Sequence, residues 1–130
     1  MSDAQVLLRK EVGSMVERLR RWTPSRWAVA AAPWGTRAEL GHHLAQVFAD
    51  AAADLEREQR RPLPRLEHDL LVPDQLAVTG DDLVRAGPPE TACRDAVAHL
   101  LLHRFELLGE APPASLGGAL ALDRGRQVCG

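Results

Sequence analysis

His99, His103 and Glu106 stand at positions i, i+4 and i+7 of one stretch of chain. At about 100° per residue an α-helix brings the three within about 60° of one another, on one flank. Two neutral imidazoles one turn apart reach the same ion, and ring nitrogens are common ligands for zinc, nickel and iron. A third donor has to come from another element. His43 is placed for it, at the border of a second apolar stripe, while His42 points outward on the same helical wheel. His43, His99 and His103 would form a three-ligand site with open positions, the form of a catalytic metal site and not of a structural one. Zinc or nickel is the expected ion, and Glu106 would orient a ligand histidine from behind. The same residues also have a plainer use. Histidines late in a helix are favoured by its dipole when protonated, and a His pair beside a Glu makes a solvated polar strip.

Other reactive residue types lack the context their chemistry needs. Asp81-Asp82 and the pair Asp50 and Asp54 are carboxylates with no sign of a cleft, and a solvated helix surface accounts for them. Ser14, Ser25 and Ser115 have no nucleophile-elbow setting. Gly117-Gly118 follows no strand and is no phosphate loop. Cys93 lies in an apolar stripe and reads as core, and with Cys129 it shows no metal or redox spacing. Arg18, Arg20, Arg21 and Arg26 cluster beside Trp22 and Trp27, with acids at hand to neutralise them. Trp22, Trp27 and Trp34 are expected to cover one end of the core, since tryptophan contributes large buried area with one polar edge.

The segment Trp34-Gly35-Thr36-Arg37-Ala38-Glu39-Leu40-Gly41-His42-His43-Leu44-Ala45 resembles the second-helix signature of the DinB-like superfamily, which includes mycothiol-dependent maleylpyruvate isomerases. In that pattern a tryptophan, a threonine cap and an acidic residue precede a ligand histidine followed by leucine, here His43. His99-Leu100-Leu101-Leu102-His103-Arg104 similarly resembles the His-x-x-x-His ligand pair of that superfamily, with Gly109 closing the helix. The resemblance implies a four-helix bundle, a divalent metal held by three side chains, and thiol-dependent transfer or isomerisation.

The elements that must position these residues are helical. The chain has 130 residues, 20 of them Ala and 20 Leu, with no Ile and no Tyr. That favours helices over sheet. A first helix is expected from Asp3 to Arg21 behind a Ser2 cap, with Leu8, Val12, Met15, Val16 and Leu19 on one side. Thr36 and Glu39 form a capping box for a second, whose stripe runs through Leu40, Leu44, Val47, Phe48, Ala51 and Leu55 towards Arg60. A third starts near Asp74 and stops at Gly87, and a fourth runs from Pro89 to Leu108. Short connections make an antiparallel four-helix bundle over residues 1–109 the expected fold, followed by an irregular tail over 110–130.

Sixteen basic against 18 acidic residues give a net charge of −2, which disfavours a nucleic-acid binder. No secretory signal or membrane-spanning run is present, so a cytoplasmic protein with no membrane partner is expected. Two functions from different classes follow. The leading one is a non-catalytic interaction or regulatory module, a homodimer among its forms, acting through Leu102, Phe105 and Leu107 on the excess apolar surface of the last helix. The alternative is a DinB-like protein holding a divalent metal. A metal site requires the three imidazoles to converge within about 4–5 Å of one point, whereas an interaction module leaves them dispersed.

Overall fold

A computed structural model describes residues 1–108, so the expected tail, Gly109 and Cys129 lie outside the described residues. The described chain is all-helical, with no strand. In α1 (Asp3–Leu19) the Ser2 hydroxyl accepts from the Gln5 N–H and the Gln5 side-chain Oε1 accepts from the Ser2 N–H, a complete capping box. Beyond Thr23 the chain makes one unexpected turn of helix, α2 (Pro24–Trp27). Thr23 caps it and Pro24 opens it, because proline's missing N–H costs nothing at a first helical position. α3 (Arg37–Leu55) begins at Thr36, whose hydroxyl accepts from the Glu39 N–H at 3.3 Å. The return half of that box is absent. The Glu39 carboxylate instead occupies the space where a Cβ of Gly35 would sit, and Gly35 holds a φ of +105°, open only to glycine. α3 stops at Leu55, short of the expected Arg60, with Arg57 in the left-handed region. After a single 3-10 turn come α4 (Val72–Arg85) and α5 (Glu90–Leu108).

The long helices pack in a ring: α1 touches α4 and α5, and α3 touches α4 and α5. Their directions follow from which residues meet. Arg20 at the end of α1 pairs with Asp74 at the start of α4, so these two run oppositely. A Cβ on Gly41, early in α3, would strike Val72 at the start of α4, while Ala52 and Glu56 share a groove wall with Thr79 and Asp82. Consecutive α3 and α4 are therefore parallel, unlike helices joined by a short turn. The stretch from Glu56 to His68 makes this arrangement by running back along α3, whose length is about 28 Å. Gln46 holds that strap on both sides, its Oε1 accepting from Leu63 N–H at 2.7 Å and its Nε2 donating to the Arg61 carbonyl at 3.0 Å. The Gln75 side chain donates to the Pro64 carbonyl at 2.9 Å.

The core contains Leu8, Leu19, Trp27, Leu40, Leu44, Phe48, Leu76, Leu83 and Leu100, all essentially inaccessible. Trp22 and Trp27 meet at 4.7 Å between ring centroids and cover one end, as expected of them. On α5 the buried Cys93, Ala96, Leu100, His103 and Leu107 follow an alternation of three- and four-residue steps that defines one seam, with Leu108 buried beside its end. Leu107, expected on a partner surface, belongs to that seam and is fully buried within its own chain. Leu102 and Phe105 flank it and are half-buried.

Candidate functional site

The α5 seam places His103 in the core, where a leucine would normally stand, at 4% exposure. Early α3 faces it. The His43 and His103 ring centroids lie 5.4 Å apart, with planes at 88°. His99, one turn earlier on α5, is exposed, and its ring lies 6.3 Å from that of His103. The three imidazoles singled out from the sequence thus stand next to one another around His103, with His43 half-buried, His103 buried and His99 at the solvent edge.

A metal–nitrogen bond of about 2 Å puts a ring centroid about 3.2 Å from the ion, and two such rings at a tetrahedral angle stand about 5 Å apart. The His43–His103 spacing matches that value, while the His99–His103 spacing exceeds it by about 1 Å. As oriented, no group of three His, Cys, Asp or Glu side chains among the described residues is arranged to hold an ion. The exposed His99 is the ring that has to turn. The donor set itself, three imidazoles with no thiolate, suits zinc or nickel.

His42 departs from its expected outward position. Its Nε2 lies 3.0 Å from the Leu63 carbonyl, so the strap covers it and leaves His43 to face α5. Trp34, read from the sequence as core, packs half-buried against the core and also borders the site. Its ring stacks on His43 at 4.0 Å and 25° and meets His103 edge-on at 5.5 Å. The Trp34 indole N–H donates to Glu106 Oε2 at 3.2 Å. The sequence signal was available in the resemblance, where the tryptophan precedes the ligand histidine, but only the turn closed by Ala31, Trp34 and Gly35 swings the ring over α3. Glu106 is where an orienting group was expected, yet its Oε2 lies 3.8 Å from His103 Nδ1, an electrostatic approach too long for a hydrogen bond. Among the described residues His103 Nδ1 is buried without a hydrogen-bond partner.

This environment disfavours protonated rings. Burial lowers the His43 pKa from its ordinary value, His99 and His42 lower it further, and Asp50 opposes them. For His103 burial is again the main cause, opposed by Glu106 and reinforced by His43 and His99, and the net direction is down. Neutral imidazole is the form that ligates.

Cys93, read as core, is 1% exposed, with its thiol directed at the Pro88 carbonyl at 3.7 Å; burial and Glu90 push its pKa up. The basic cluster beside the tryptophans is held locally: Arg26 and Arg37 lie over Trp22 at 4.7 and 5.4 Å, and Arg20 pairs with Asp74 at 3.1 Å. Among the described residues no helix is long and apolar enough to cross a membrane. No family model, curated protein or solved structure matches the chain.

Proposed function

We propose that the chain holds a divalent metal ion, zinc or nickel, between α3 and α5 through His43, His99 and His103. The observation that carries this reading is the convergence of His43 and His103, from different helices, at a spacing suited to a shared ion. A buried polar group without a partner costs about 1–3 kcal/mol. Among the described residues His103 Nδ1 is such a group, so packing alone does not account for a histidine in this leucine-like seam position. The depressed pKa values favour the ligating form, and the exposed His99 leaves one side of the site open to solvent. The DinB-like resemblance of the two segments supports the same residues and adds thiol-dependent transfer or isomerisation as the class of chemistry. The reading carries with it a four-helix bundle built of two antiparallel pairs, and a reducing, cytoplasmic setting in keeping with the free Cys93 thiol.

The test is elemental analysis of untagged protein purified without chelator, repeated on His43→Ala and His103→Ala. About one equivalent of metal in the parent, lost in both variants, is the expected result. No metal after loading with zinc or nickel overturns the reading.

A second reading, an interaction module that forms a homodimer or docks another protein, is favoured by a different observation. Ala4 and Leu7 of α1 and Cys93, Val97 and Leu101 of α5 line an almost wholly apolar groove of about 220 Å³. Leu7 is 48% exposed beside it. Light scattering across a concentration series tests this reading, and a monomeric mass at all concentrations removes the dimer.

A further inference from the structure

The groove between α1 and α5 is walled by Ala4 and Leu7 on one side and by Cys93, Val97, Ala98 and Leu101 on the other. The two helices run parallel here. Gln5 Nε2 donates to the Pro88 carbonyl at 3.0 Å near the start of both, and Glu11 lies 3.9 Å from Arg104 further along. Arg94 borders the groove but turns its guanidinium to Glu90 at 2.6 Å, which leaves the walls apolar. Leu7 and Ala98 are exposed, so nothing among the described residues covers the groove. We propose that residues 116–122 of the same chain dock in it. The inference is independent of the metal reading above.

Reach, composition and tethering select this occupant. The described chain stops at Leu108, about 10 Å along α5 from Leu101 and about 22 Å from Cys93. Leu116 is eight residues further on, so up to about 27 Å of chain is available for the return. Pro112-Pro113 supplies the break at which a helical path has to end, because proline cannot continue it. The composition fits the destination. Residues 114–122 carry no charge and include Leu116, Leu120 and Leu122, with Glu110 before them and Asp123 after. Such a run gains by leaving water, and the groove offers it an almost wholly apolar surface. Tethering favours the same chain over a second copy. A segment joined through so short a connection stands at an effective concentration on the order of millimolar, above that of the protein in dilute solution. Any partner that uses the groove then has to displace residues 116–122 first.

The experiment is thermolysin digestion of the full chain in native buffer, with cuts located by mass spectrometry. The rate of cleavage within residues 115–122 is compared with that of a synthetic peptide spanning residues 112–126. Cleavage requires the segment to leave the groove, so its rate follows the open fraction, and the parent should be cut at least about tenfold more slowly than the peptide. Leu7→Asp and Ala98→Glu each set a charge on an exposed wall of the groove, where an apolar segment would have to bury it. Each should bring cleavage to within about threefold of the peptide rate. Val6→Asp is the control, altering a side chain 49% exposed on the same helix but outside the groove, and it should keep the parent's protection. Circular dichroism checks the helix content of each variant. A parent cut at the peptide's rate overturns the proposal. So does protection that Leu7→Asp and Ala98→Glu both leave intact, which places the segment elsewhere, and so does protection that Val6→Asp relieves equally. Protection that weakens on dilution, together with a dimeric mass by light scattering, gives the groove to a second copy and overturns docking within one chain.

Discussion

Gly80 lies where α4 crosses α1, and the crossing is so close that a methyl group has no room. A Cβ on Gly80 would stand 2.7 Å from Val12 Cγ1, 3.3 Å from its Cγ2 and 3.5 Å from its Cβ. The three nearest atoms all belong to Val12, whose β-branch is stiff in a helix, so rotation of that side chain offers no escape. Gly80→Ala gains about 1 kcal/mol of helix propensity but forces an overlap costing about 1–3 kcal/mol, for a net loss near 1 kcal/mol. Val12→Ala alone removes two methyl groups from a buried position, a loss of about 1.5 kcal/mol or more. In the double variant the new methyl enters vacated space, and the propensity gain survives. The pair should then be about 1 kcal/mol more stable than Val12→Ala alone, a coupling near 2 kcal/mol. Gly13→Ala is the control. It lies in α1 with nothing within 4 Å of its added Cβ, so it should stabilise by about 1 kcal/mol. Urea unfolding followed by far-ultraviolet circular dichroism measures all four. A Gly80→Ala variant stabilised as much as Gly13→Ala would show that α1 and α4 are not in this contact, and the reasoning about the ring of helices would go with it.

In the presence of chelator, His43 and His103 titrate below the unfolded-chain value of 6.5. The unfolded state then binds more protons as pH falls through that value, so stability is full above about pH 7 and declines towards pH 5. His103→Gln should flatten that decline, and an unchanged slope between the two pH values would contradict it. Gln46→Leu strips the strap of its acceptor at Leu63 and its donor at Arg61. A loss of about 1–3 kcal/mol in urea unfolding is expected, with faster proteolysis between Glu56 and His68. Cys93 is sealed in the α5 seam, so in a Cys129→Ser background an aromatic disulfide reagent should react with it only as fast as the protein opens, accelerating in urea. Prompt reaction in native buffer would place Cys93 outside the core.

The sequence alone determined the four long helices and the shared flank of His99 and His103, because both are local properties. Helix periodicity places Leu8, Val12, Met15, Val16 and Leu19 on one face whatever they pack against, and i, i+4 spacing puts His99 and His103 on one flank in any fold. The seam through Cys93, Ala96, Leu100, His103 and Leu107 was legible too. Read by its alternating steps, it moves Leu107 from a partner surface into the core and marks His103 as a polar residue in an apolar register. Chain direction was not legible. Nothing local in Arg61-Pro62-Leu63-Pro64 says that it runs back along α3, because the groups that hold it there, on Gln46, His42 and Gln75, come from other elements. That strap makes α3 and α4 parallel and covers His42, leaving His43 to face α5. The pairing of Trp34 with Glu106 is of the same kind, a hydrogen bond between residues 72 positions apart. Propensity and periodicity act over a few residues, whereas which side chains meet across a core is settled only when every helix competes for the same buried space.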